Sequence, residues 1–134
     1  MRAADTSAVV AAFASWHEHH DAARRMLDSG ARLVEHCALE AYSVLTRLPP
    51  PHRSPGAVVR EFIQARFPEP FLRLRPEAYR AFVLELPERR ISGGAAYDAL
   101  VAATAAAYGA ELVSCDRRAT LIYDSYGVQA SFLA

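Results

Sequence analysis

The sequence predicts an α/β fold, a three-layer α/β/α sandwich around a five-stranded parallel sheet. Short apolar segments alternate with longer stretches of helical period along the whole chain. At least one helical segment separates each pair of successive strands, as parallel pairing requires. Hydrophobic residues make up 52% of the 134 positions, enough for one sizeable core. The length suits a single domain over residues 1–134.

The short strand Arg2-Ala3-Ala4 leads into Asp5-Thr6-Ser7. Residues 8–16 read as a helix that Asp5 or Ser7 is placed to cap. Residues 17–27 form a second helix, stopped at Ser29-Gly30. Residues 32–36 read as a strand and residues 38–48 as a helix. That helix must end before Pro49-Pro50-Pro51, because the residue ahead of a proline is driven out of the α region. The breaker cluster that runs from there to Gly56 is too short for an interdomain linker and reads as a loop.

Residues 57–67 carry Val58, Phe62, Ile63 and Phe67 at helical spacing, and residues 71–74 read as a strand. Pro76 suits the first position of a helix over residues 77–86. Gly93-Gly94 open an alanine-rich, buried helix over residues 95–108 that Gly109 stops. Residues 111–114 are the fourth strand, 117–126 a helix closed by Gly127, and 128–133 the last strand.

Composition narrows the function. The 15 basic residues are all Arg and balance 15 acidic ones, which argues against a protein that coats nucleic acid non-specifically. Arg supplies forked, permanently charged donors suited to carboxylates and phosphates. No apolar run reaches the roughly 18 residues of a membrane span, and the N-terminus lacks a signal-peptide core. The expectation is a cytoplasmic protein with no membrane partner. Cys37 and Cys115 read as small buried hydrophobes, not a disulfide framework. No Gly-x-Gly-x-x-Gly or Walker-type loop follows any strand, which counts against a dinucleotide- or phosphate-binding signalling domain. His17 and His20 share a helical face, but without a second His or Cys cluster a transition-metal site there is disfavoured.

Four acids stand out. In open parallel sheets chemistry gathers at the carboxyl ends of strands. Asp5 follows the first strand, and Asp116 follows the strand over residues 111–114. Glu40 and Asp98 lie near the starts of helices among apolar neighbours, where an ionised carboxylate is costly without a partner. Taken singly, Asp5 and Asp116 could simply cap helices and Glu40 could favour a helix dipole. Taken together, four converging carboxylates would repel one another, and a divalent cation is the simplest compensation. Hard oxygen ligands select magnesium or manganese.

The segments around these acids resemble the four motifs of PIN domains. Asp5-Thr6-Ser7-Ala8 resembles the first, and Glu40 within Ala38-Leu39-Glu40-Ala41 the second. Tyr97-Asp98-Ala99-Leu100-Val101-Ala102-Ala103-Thr104-Ala105 resembles the third and is the most specific. Leu112-Val113-Ser114-Cys115-Asp116-Arg117-Arg118 resembles the fourth, with Ser114-Cys115 where the family commonly has Thr and a larger residue. The order and spacing match over essentially the whole chain. Chains of this size resemble VapC toxins of type II toxin–antitoxin pairs.

The resemblance implies a PIN-like sandwich and magnesium- or manganese-dependent endonucleolytic cleavage of RNA. Asp5, Asp98 and Asp116 would be the metal ligands, and Glu40 a ligand or water-positioner. Ser7 and Ser114 would support them from behind, and Arg117 and Arg118 would contact RNA phosphates. The implied partners are RNA, a VapB-type antitoxin held against residues 38–67, and a second copy of the chain. Phe62, Ile63 and Phe67, or Phe82, Val83 and Leu86, are candidates for a spare apolar face. The alternatives are a single-strand DNA nuclease on the same fold, and a catalytically silent partner-binding module.

Overall fold

A computed structural model of the chain describes residues 1–133. Strand β1 (Arg2–Ala4) is followed by helices α1 (Thr6–Phe13) and α2 (His20–Asp28). Next come β2 (Arg32–Leu33), α3 (Glu35–Arg47), α4 (Gly56–Arg66), α5 (Pro76–Glu85) and α6 (Ala95–Ala107). Strand β3 (Glu111–Ser114), a 3-10 turn over Arg117–Ala119, α7 (Thr120–Ser125) and β4 (Ala130–Phe132) complete the order.

The strands form one parallel sheet in the order β2-β1-β3-β4. From β1 the chain steps outward to β2, then crosses back over β1 to reach β3 and β4. Right-handed crossovers of that order put α1 and α2, between β1 and β2, on one face and α7, between β3 and β4, on the other. The packing agrees, because α1 meets α2 and α3 while α6 meets α7. Consecutive residues point to opposite faces of a sheet. Ala3 and Ala4 in β1, and Leu112 and Val113 in β3, are all buried, so both faces are covered. The small side chains of β1 let α1 lie close to the sheet.

This core should be sensitive to truncation. Leu112 is fully buried in β3 between β1 and β4. Leu112→Ala should lower the unfolding free energy by about 2–5 kcal/mol, read as a lower urea midpoint. A midpoint unchanged from the wild type would mean that β3 does not lie at the centre of the core.

The sheet has four strands, not five. Residues 71–74 do not extend into a strand; Leu72 alone makes a parallel bridge to Val34. Its N–H donates to Leu33 O at 2.9 Å and its carbonyl accepts from Glu35 N at 2.8 Å. Pro68, Pro70 and Pro76 around it remove ladder donors and fix extended or turning backbone, so pairing ends after one bridge. The strand over residues 32–36 is likewise cut short, because Glu35 and His36 already turn into α3.

Three helices also differ at their starts or stops. Helix α1 ends at Phe13, and α2 begins only at His20. Between them His17 N donates to Ala14 O and His20 N to His17 O, a run of turns. The last helix opens with the 3-10 turn, which Asp116 caps. Most of the expected spare apolar face is used inside the chain. Phe67 and Phe82 are buried, Phe62, Ile63 and Leu86 pack against core clusters, and of the six only Val83 is exposed. Among the described residues no helix is long and apolar enough to cross a membrane.

Candidate active site

At the carboxyl ends of the strands, where α3 and α6 approach each other, lies a small cleft of about 60 Å³. All four singled-out acids line it: Asp5, Glu40, Asp98 and Asp116. Each arrives by a different route. Asp5 follows β1 directly and caps α1, its Oδ1 accepting from Ala8 N at 3.0 Å. Glu40 and Asp98 sit in the early turns of α3 and α6. Asp116 follows β3 and caps the 3-10 turn.

Asp5 is the most constrained of the four. It is 4% exposed, and both carboxylate oxygens are engaged. Ser7 Oγ donates to Oδ1 at 2.6 Å and Tyr123 Oη donates to Oδ2 at 2.8 Å. Burial pushes its pKa up, and these hydrogen bonds oppose the rise. Burial also raises the Tyr123 hydroxyl pKa, with the Asp5 charge adding to it, so Tyr123 stays a donor. Ser7 Oγ in turn accepts from Cys115 N at 2.7 Å and lies 3.3 Å from Ser114 Oγ. Ser114 Oγ accepts from Asp116 N at 2.9 Å. The two serines thus tie the end of β1 to the backbone that carries Asp116.

Asp98 is half-buried, and its pKa is raised, first by burial and then by the charges of Asp116, Glu40 and Asp5. The cleft is short of positive charge. Asp116 behaves oppositely, held below the usual carboxylate range by hydrogen bonds from Arg118. Arg118 Nε donates to Oδ1 at 3.0 Å and Nη2 to Oδ2 at 3.3 Å. The Arg118 side chain is 92% exposed, so this clamp sits at the rim and faces water. Arg117 does not join it, because its guanidinium lies 4.8 Å over the Phe132 ring.

Several residues were not singled out from the sequence. His36 lines the cleft, its Nε2 3.7 Å from Glu40 Oε2 and without a hydrogen-bond partner. Its ring stacks on Tyr97 at 5.1 Å between centroids and 6° between planes. Thr6 also lines the cleft with a buried, unpartnered Oγ1. The four-residue spacing of His36 and Glu40 was hidden beforehand, because residues 32–36 read as a strand; the helical spacing exists only because α3 begins at Glu35. Cys37 is buried as expected, whereas Cys115 is only partly so, and neither thiol suits a nucleophile: burial pushes Cys115 up to about 11 and raises Cys37 too. His17 and His20 spend ring nitrogens on local backbone groups, Nδ1 of His17 accepting from His19 N and Nδ1 of His20 meeting Ala11 O.

Among the described residues no three Asp, Glu, His or Cys side chains form a ready-made ligand shell. Asp116 is folded onto Arg118, and the oxygens of Asp5 are held by hydroxyl and amide donors. The donor chemistry nonetheless fits a hard cation. Four carboxylates line one cleft, and the raised pKa of Asp98 registers their mutual repulsion.

The sequence matches the PIN domain family over residues 3–124. It is 45% identical to Ribonuclease VapC40 of Mycobacterium tuberculosis over 133 residues, 99% of each chain. It is 38% identical to Ribonuclease VapC27 of the same species over 118 residues, 88% of this chain and 79% of that one.

Proposed function

Because the chain belongs to the PIN-domain family, we propose that it is an endoribonuclease, the toxin of a VapBC-type toxin–antitoxin pair, working as a single domain in the cytoplasm. The observation that carries this reading is the convergence of Asp5, Glu40, Asp98 and Asp116 on one cleft at the carboxyl end of the sheet. Near-full-length identity to chains named ribonucleases supports the choice of RNA over DNA.

Asp5, Asp98 and Asp116 would hold a magnesium or manganese ion, with Glu40 beside them as a ligand or water-positioner. When bound, such an ion supplies positive charge that polarises a phosphate oxygen and acidifies water. The chain's own residues prepare the rest. Tyr123 and Ser7 fix the Asp5 carboxylate in one orientation. Ser114 holds the backbone of Asp116. Arg118 can exchange its Asp116 contact for an RNA phosphate, since it is almost wholly exposed. Arg117, beside it, is the weaker phosphate candidate because Phe132 already covers its guanidinium.

An antitoxin segment would find its place in the apolar groove of about 560 Å³ between α3 and α4. Leu39, Tyr42, Ile63 and Phe71 line it, and its α3 wall belongs to the helix that carries Glu40. A homodimer belongs to the same reading.

Expression of the chain alone in bacteria should arrest growth, and the purified protein should cut single-stranded RNA internally in the presence of magnesium or manganese. Cleavage of single-stranded DNA at an equal or greater rate would favour the DNA nuclease. Absence of cleavage of either polymer, with the protein folded, would favour the silent binding module.

A further inference from the structure

We propose that Tyr97, backed by His36, is a stacking platform for an unpaired base of the RNA strand whose phosphate enters the acidic cleft. The inference rests on the ribonuclease reading and adds to it a residue that contacts the substrate beyond the acids.

Size makes the first argument. The cleft is small, about 60 Å³, against about 520 Å³ for the neighbouring groove, so it suits a phosphate better than a base. The base next to the attacked phosphate is then placed against the rim. What the rim offers is aromatic. Tyr97 lines the cleft, stands one position before Asp98 on α6, and is 57% exposed.

Geometry makes the second argument. The Tyr97 and His36 rings are parallel within 6°, and the stack ties α6 to α3 across the mouth of the cleft. One face of the Tyr97 ring is therefore held in a fixed plane by a partner, while much of the ring remains open. A flat, pre-oriented ring beside a phosphate site is what single-strand recognition uses, because every base has a π-face. Space makes the third argument. His36 also lines a second groove of about 520 Å³, together with Leu39, Leu74, Tyr79 and Leu100. The groove and the cleft thus meet at His36.

The test uses the full chain as wild type, Tyr97→Phe, Tyr97→Leu and Tyr97→Ala, on a single-stranded RNA oligomer that the wild type cuts. The same oligomer is then supplied with one base at a time removed and its backbone intact. Tyr97→Ala and Tyr97→Leu should raise KM roughly 5- to 150-fold with a much smaller change in kcat, and Tyr97→Phe should stay close to wild type. Removing one particular base next to the cut should weaken the wild type by a similar factor and have little further effect on Tyr97→Ala.

Equal responses of wild type and Tyr97→Ala to every missing base would overturn the proposal while leaving the ribonuclease reading in place. So would unchanged KM values with altered sedimentation, which would mean that a second copy covers the ring. A wild-type chain that cuts no RNA would remove the ribonuclease reading itself, and the platform with it.

Discussion

Asp98→Asn should reduce RNA cleavage by roughly 10²- to 10³-fold and leave the fold intact. Asp98 lines the cleft with three other carboxylates, and their charges add to burial in raising its pKa. An amide of the same shape would remove one charged ligand from the proposed cation site, and a lost electrostatic contact at a reacting phosphate is worth that order of rate. The same change relieves repulsion. Without added metal, Asp98→Asn should therefore melt at or above the wild-type temperature. A merely structural residue would give the reverse pattern, with lower stability and nearly normal rates. The measurement is single-turnover RNA cleavage together with thermal melts. Wild-type rates from the purified variant would remove Asp98 from the catalytic set.

Metal removal is the second large effect. A chelator should abolish RNA cleavage, and magnesium or manganese should restore it. Because a cation that binds only the folded chain stabilises it by mass action, melting temperature should rise with metal concentration. At about 100 times Kd the gain is about 2.7 kcal/mol. The expected response is graded across variants. Asp98→Asn should show a much smaller metal-dependent rise, since it lacks one donor and has less repulsion to relieve. Because Asp116 lies folded onto Arg118, Arg118→Ala should bind the cation at least as tightly while binding RNA more weakly. Cleavage that persists fully in excess chelator would overturn the cation site.

The two readings of Asp116 show how far a sequence reaches. Its position after β3 was legible, because an acid that follows a buried strand in a parallel sheet arrives at the edge where active sites form. Its pairing with Arg118 was not, although the two are only two positions apart. Sequence placed Arg118 beside the acid as a phosphate contact; the 3-10 turn folds it back to form a clamp. The fifth strand failed for a comparable reason. Apolar residues 71–74 suit a strand, yet the prolines on either side limit pairing to the single bridge at Leu72.

What the sequence determined by itself was the alternation of strands and helices, the alanine-rich α6, of which only one side proves buried, and the four candidate acids. Those features are local: they depend on period, caps and breakers within a few residues of one another. What only the tertiary structure decided was which distant groups meet. Tyr123 donates to Asp5 across 118 positions, Ser7 reaches Cys115 across 108, and His36 of α3 stacks on Tyr97 of α6. Such contacts leave no periodic trace, because the sheet order β2-β1-β3-β4 sets them by bringing the two ends of the chain together at its centre.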